Sequence, residues 1–380
     1  MKSKQIWKKT TLGELVTLQR GHDLPKNQRK IGNYPIVSSS GIIDSHNEYK
    51  AKGPGVVIGR SGSLGSSHYI EKDYWPLNTT LYSKQFHDCD PKFVYYFIKT
   101  LDLENYNAGT SVPTLNRNHI HPLEIFIPST IDEQEQIGKT LNDLDTKIEN
   151  LQNQNKILEQ ITQAIFKSWF VDFDGVTEFV DSELGKIPEG WHVVNLPDII
   201  EINPVRNLKK GIIAPYLGMT DIPIHSSRIS NFYLREFTSG MKFMNGDTLV
   251  ARITPSLENG KTAFVDFLQH GEIGWGSTEY IVLRPKFLIS PEYGYCFART
   301  DEFRAHAISN MTGTSGRQRV PENCFDKYKI VKPPIETILA FGDLAKKIFL
   351  QIKNNAEILG IFTKTKDILL PKLMSGEIRV

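Results

Sequence analysis

The sequence predicts an α+β chain in which two similar modules, related by an internal repeat, are joined by two long antiparallel coiled-coil helices. Three observations predict it. The length of 380 residues exceeds one ordinary core and suits two domains of ~150 residues with connectors. The chain repeats its own pattern, which constrains architecture more firmly than a single motif does. A heptad seam occurs twice, in phase with that repeat.

The repeat opens with Trp7, Leu12, Glu14 and Leu15, which return as Trp191, Leu196, Asp198 and Ile199, each displaced by 184 positions. A strand-like run from Gly55 to Arg60 answers one from Gly246 to Arg252, and Gly109-Thr110-Ser111 answers Gly313-Thr314-Ser315 at a displacement of 204. The displacement grows along the chain, as it does when insertions collect in loops. Inside each copy, β-rich runs (55–58 and 123–127, then 248–253 and 280–283) alternate with Gly/Ser/Asn-rich loops. One helix is expected per copy, at 91–101 and at 291–303.

Residues 132–170 hold no proline, which at ~1.5 Å per residue allows a rod of roughly 58 Å. Counting alternately four and three residues gives Ile137, Leu141, Leu144, Ile148, Leu151, Asn155, Leu158, Thr162 and Ile165. Adding 204 to each gives Phe341, Ala345, Ile348, Ile352, Asn355, Leu359, Phe362, Lys366 and Leu369. The apolar members form the expected helix-to-helix contact. An Asn buried in such a seam lowers stability but fixes register and partner; the alternative is that the polar positions lie where the helices splay and meet solvent. Break signals follow, Asp172-Phe173-Asp174-Gly175 after the first helix, then Pro371 and Ser375-Gly376 in the second. The expected boundaries are a first module at 1–131, a helix and linker at 132–180, a second module at 181–334 and a final helix at 335–380.

Net charge is +2, so any nucleic-acid footprint must be local. Residues 1–131 carry 16 Lys/Arg against 11 Asp/Glu, residues 132–170 carry 4 against 7, and residues 181–334 carry 18 against 17. The surplus lies in the first module. Three cysteines (Cys89, Cys296, Cys324) with no C-x-x-C pair make neither a disulfide framework nor a zinc site, and fit a reducing cytoplasm. The charged amino terminus lacks a signal-peptide core, and no run of 18 apolar residues occurs, so a cytoplasmic, non-membrane protein is expected.

Catalytic motifs are missing. An Asn/Asp-Pro-Pro-aromatic turn, which holds an exocyclic amine for methylation, has only incomplete matches in Asp90-Pro91-Lys92-Phe93 and Lys332-Pro333-Pro334-Ile335. Gly260-Lys261-Thr262 resembles the end of a P-loop, but Pro255 stands where the first glycine belongs. No metal site is expected; His119 and His121, two apart on an apparent strand approach, read as loop histidines.

Major-groove reading needs bidentate groups such as Arg for guanine and Asn or Gln for adenine, while phosphates are held by Lys, Arg, Ser and backbone N–H groups. In the first module, Arg20 and His22, the flexible basic loop holding Arg60, Ser61, Ser63 and Ser66, and the run Asn116, Arg117 and Asn118 have this composition. In the second, Arg206, then Arg252, Thr254, Asn259 and Lys261, then Arg317, Gln318 and Arg319 occupy equivalent places. The alternative for each residue is a solvated loop side chain.

Three strings carry a family resemblance that covers the whole chain. Gly185-Lys186-Ile187-Pro188-Glu189-Gly190-Trp191 resembles the lead into a recognition domain of type I restriction-modification specificity subunits. Ala164 to Phe173 (AIFKSWFVDF) and Leu369 to Ile378 (LLPKLMSGEI) resemble the ends of that family's two conserved helices. The first module departs from the pattern, beginning at Ile6-Trp7 without a Gly-x-Ile-Pro lead-in. The resemblance implies a non-catalytic DNA reader: two target-recognition domains, each reading half of a bipartite double-stranded target, and helices that hold the halves apart. It implies two modification subunits, which bring S-adenosylmethionine for adenine-N6 methylation, and two restriction subunits, which bring ATP and Mg. A coiled-coil scaffold binding only protein is the competing reading; a self-sufficient methyltransferase or nuclease is opposed by the missing motifs.

Overall fold

The computed structural model describes residues 7–106, 113–229, 231–286, 288–314 and 316–380. The repeated loop Gly109-Thr110-Ser111, and Ser315 of its counterpart, lie outside the described residues. The fold is mixed α/β, two similar modules joined by two long helices. By contacts the chain divides into two compact units, 1–149 with 359–380, and 150–358.

In the first unit, strand Trp7–Thr11 pairs antiparallel with Glu124–Pro128. A one-turn helix, Leu12–Leu15, follows, because Thr11 and Glu14 cap it reciprocally. Glu14 Oε2 accepts from the Thr11 N–H at 3.1 Å and Thr11 Oγ1 accepts from the Glu14 N–H at 3.3 Å. An antiparallel sheet runs Val16–Arg20, Thr80–Phe86, Gly55–Gly59, Ser67–Ile70. A smaller sheet runs Gly41–His46, Tyr34–Ser38, Trp75–Pro76, the last pair parallel.

The second unit repeats each part. His192–Asn195 pairs with Lys329–Lys332, and Asp198 takes the place of Glu14, accepting from the Asn195 N–H at 3.0 Å. The larger sheet runs Ile200–Ile202, Tyr280–Pro285, Thr248–Ala251, Thr262–Phe264, and the smaller one Tyr233–Glu236, Ile213–Leu217, Gly274–Gly276, Met241–Phe243. The Glu14/Asp198 match in the sequence is therefore a shared cap.

The helix expected at 91–101 forms as Pro91–Lys99, but the one expected at 291–303 is two helices, Pro291–Ala298 and Asp301–Ser309. Thr300 restarts the second by accepting the Phe303 N–H at 3.3 Å, which a continuous helix would not permit. Asp90 and Ser290 are equivalent N-caps, accepting from Phe93 N–H at 2.7 Å and Tyr293 N–H at 3.2 Å. Each cap abuts a glycine of a long helix. A Cβ on Gly138 would lie 2.6 Å from Asp90 Oδ1, and one on Gly342 would lie 3.1 Å from Ser290 Cβ. A helical glycine costs about 1 kcal/mol; here it admits the module's own helix.

The long helices are Ile131–Phe170, 40 residues, and Ile335–Ser375, 41 residues. Within each unit they run antiparallel. In the first, Ile137 and Leu141 share a core with Leu373 and Met374, and Lys366 pairs with Asp145 at 2.5 Å. Tyr96 donates to the other oxygen of Asp145 at 2.7 Å. In the second, Phe166 and Phe170 stack edge-on against Phe341 at 5.4 and 5.2 Å, and Asn355 Nδ2 donates to Asn155 Oδ1 at 2.9 Å. No seam position on either helix is exposed. The Asn pair sits inside the seam, with Asn355 3% exposed, so it is not a splayed, solvated position. Pro371 does not end its helix, which continues to Ser375. Burial of Leu373 and Met374 holds that last turn, and Gly376 at φ +74 ends it.

Candidate nucleic-acid interface

In the first module the sheet order brings Arg20, at the end of Val16–Arg20, close to Arg60, just past Gly55–Gly59, because Thr80–Phe86 lies between those strands. The Arg60 backbone is fixed on both sides: its N–H donates to Thr79 O at 2.8 Å and its carbonyl accepts from the Leu115 N–H at 2.9 Å. That second bond brings the segment 114–117 to the same place. The result is a cleft of about 830 Å³ lined by Arg20, His22, Arg60, Lys84, Asn116 and Arg117, among others, with no Asp or Glu in its lining.

The loop after Arg60, which its composition suggested to be flexible, is tied down by hydrogen bonds. The Gly59 N–H donates to Ser66 O at 2.7 Å, the Gly65 N–H donates to Gly59 O at 2.9 Å, and Ser66 Oγ donates to Ser39 O at 2.5 Å and Ser63 O at 2.8 Å. A Cβ on Gly59 would stand 1.9 Å from Ser63 O, so only glycine closes this loop. Ser66 is thereby used internally, while Ser63 is exposed and Ser61 half-buried.

Burial and the neighbouring Arg20 charge push the Arg60 guanidinium below its ordinary range, so two like charges face one cleft. Burial, then Lys50, lowers the His22 imidazole from its usual value, leaving a neutral ring with one donor and one acceptor. Asn116 caps the short helix Arg117–Ile120, its Oδ1 accepting from the Asn118 N–H at 3.0 Å, which leaves its amide NH2 to donate. Asn118 and Arg117 are exposed, and Arg117 reaches back to Leu18 O at 3.4 Å. His119 and His121 are not on a strand. His121 closes the short helix and its Nε2 accepts from the Leu18 N–H at 3.1 Å, a structural role. Among the described residues no group of three His, Cys, Asp or Glu could hold a metal, and no helix is long and apolar enough to cross a membrane.

The second module places its residues differently. Arg206 pairs with Asp247, the two side chains 8% and 0% exposed, and Arg284 reaches the same carboxylate at 2.9 Å. Arg206 is thus a core ion pair rather than a loop side chain offered to DNA. Arg252 pairs with Glu322 at 3.2 Å and Arg319 with Glu279 at 2.9 Å. Thr254 Oγ1 donates to Glu258 at 2.8 Å and Lys261 Nζ to Met219 O at 2.6 Å. Arg317 and Asn259 are exposed, and Gln318 is half-buried, its carbonyl accepting from the Thr254 N–H at 3.1 Å.

Sequence reasoning missed Lys84 and Gln19, which line the first cleft. Lys84 follows the buried run Leu81-Tyr82-Ser83, and a charge ending such a run was its one local signal. Only the strand order shows that it stands between Arg20 and Arg60.

Comparison with known proteins gives one consistent result. A family model described as the type I restriction modification DNA specificity domain matches residues 4–160. The type I restriction enzyme HindI specificity subunit of Haemophilus influenzae is 36% identical, the match covering 76% of this chain and 77% of that protein. The MjaIX specificity subunit of Methanocaldococcus jannaschii is 27% identical, with 76% and 69% covered. The EcoAI specificity subunit of Escherichia coli is 31% identical over 40% of this chain, a match spanning 26% of that protein. The crystal structure of a type I restriction-modification S subunit from M. genitalium shares the fold, with a TM-score of 0.67 at 18% identity over 98% of this chain and 97% of that one.

Proposed function

This chain belongs to the type I restriction-modification specificity subunits, and on that premise we propose that each module reads one half of a bipartite double-stranded DNA target. The carboxylate-free cleft of the first module carries the reading. Its arginines can meet guanine O6 and N7 or phosphate oxygens, and the amides of Gln19 and Asn116 can meet adenine. The second module repeats the backbone frame around Arg252, as a second reader would require.

The long helices act as a spacer between the half-sites. The repeat offers two equivalent surfaces to a pair of identical partners, and aliphatic side chains such as Ile157, Ile161, Leu350 and Ile361 stand exposed on the helices for such contacts. The partners are two adenine-N6 methyltransferase subunits, which carry S-adenosylmethionine and take the target base out of the stack, and two restriction subunits, which carry ATP and Mg. This chain positions the target and leaves the chemistry to them.

The test is sequencing of host DNA for N6-methyladenine with this gene intact and with it deleted, the modification gene being left in place. Loss of one split motif on deletion is expected and reads out both half-sites. Unchanged methylation would overturn the proposal in favour of an adaptor that binds only protein.

A further inference from the structure

The two modules share a backbone frame but not its charge. Arg60 N–H donates to Thr79 O at 2.8 Å and Arg60 O accepts from Leu115 N–H at 2.9 Å; Arg252 N–H donates to Glu279 O at 3.0 Å and Arg252 O accepts from Val320 N–H at 2.9 Å. Thr79 and Glu279 therefore occupy one place in the repeat. The exchange sets a carboxylate among the second module's arginines, where Glu279 takes Arg319 and Glu322 takes Arg252. In the first module, no carboxylate among the described residues pairs with Arg20, Arg60 or Lys84, and none of the residues outside the description is acidic. The same asymmetry appears in the totals, 16 Lys/Arg against 11 Asp/Glu in residues 1–131 and 18 against 17 in residues 181–334.

Unpaired cations and paired ones bind DNA by different bookkeeping of ions. A free cation that neutralises a phosphate releases condensed counterions, which steepens the fall of affinity with salt by ~0.9 per phosphate. A cation already paired to a carboxylate brings little net charge to the duplex, so it releases few. It does hold its guanidinium in one orientation, and the carboxylate beside it can accept from a cytosine amine.

We propose that the first module supplies the salt-sensitive, sequence-independent grip on the phosphate backbone, through Arg20, Arg60 and Lys84, while the second reads its half-site with carboxylate-held arginines. This rests on the DNA-reading function above and divides it unequally between the modules. A phosphate set between Arg20 and Arg60 would offset the repulsion of the one guanidinium by the other.

The experiment is equilibrium binding of a target-containing duplex by the full chain assembled with its modification partner, across a range of salt concentrations. Arg20→Gln, Arg60→Gln and Lys84→Gln together lower the magnitude of the slope of log Kobs against log salt by about 2 to 3. Arg252→Gln and Arg319→Gln, the two carboxylate-held arginines, together change it by less than about 1 and relax sequence preference at one half-site. Lys84→Gln alone, at an exposed strand position, lowers the slope by about 1 without disturbing the core. Equal losses of slope from the triple and the double variant, or a larger loss from the double, overturn the proposal. A wild-type complex that prefers no duplex sequence overturns the functional reading itself, and the division of labour with it.

Discussion

His22 shows how one side chain couples the cleft to pH. Trp75 meets its ring edge-on at 6.4 Å and the Tyr82 hydroxyl lies 3.5 Å from its Nε2, while burial and then Lys50 hold the imidazole below its ordinary value. In the free protein the folded state therefore binds fewer protons than the unfolded chain in the window between the depressed and ordinary values, so stability falls as pH drops through that window. A DNA phosphate beside the ring would oppose the Lys50 charge and favour the imidazolium, against the burial that lowers it. Binding then takes up a proton, and affinity for duplex DNA rises as pH falls from about 7 to about 5.5. Fluorescence anisotropy at matched ionic strength checks this against His22→Gln, which flattens the rise; an identical pH profile in the variant would sink the idea. At this scale Arg20 and Arg60 were visible in the sequence, because a basic residue beside a glycine is a local signal. Lys84 was not, and neither was the capture of Arg206 by Asp247, a partner 41 residues away that no local pattern announces.

Among the elements, the long helices were the most legible and their polar positions the least. Asn355 is buried, receives Gln351 Nε2 at 2.8 Å and donates to Asn155 at 2.9 Å. Asn155→Leu leaves the buried Asn355 Nδ2 only its longer bond to Gln154 Oε1 at 3.4 Å, which costs about 1 to 3 kcal/mol. Adding Asn355→Leu removes the weakly held amide and recovers most of that loss, as apolar replacement of both partners does. Urea unfolding midpoints of the single and double variants measure it; a double variant as unstable as the single one would show that the pair does not act as a unit. The heptad count located these residues because the period of 3.5 is written in the chain itself. The second module's split helix escaped notice because Thr300 is an ordinary helix residue by pattern and becomes a cap only through its bond to Phe303.

For the whole molecule, the proposed spacer makes a length prediction. Four residues inserted in each long helix add about 6 Å and lengthen the unread gap in the methylated motif by one or two base pairs, with both half-sites unchanged. Sequencing of methylated host DNA reads this out, and an unaltered gap would rule out the spacer role of the helices. The sequence by itself determined the repeat, the two modules, the paired helices and their apolar seam, because each is a periodicity or a recurrence that survives without knowledge of the fold. It also supplied the family. Tertiary structure alone decided which cations share a cleft and which are neutralised, since Thr79 and Glu279, or Arg20 and Lys84, acquire their neighbours from strand order. Electrostatic fields depend on distances through space, and those distances are set by the sheets rather than by spacing along the chain.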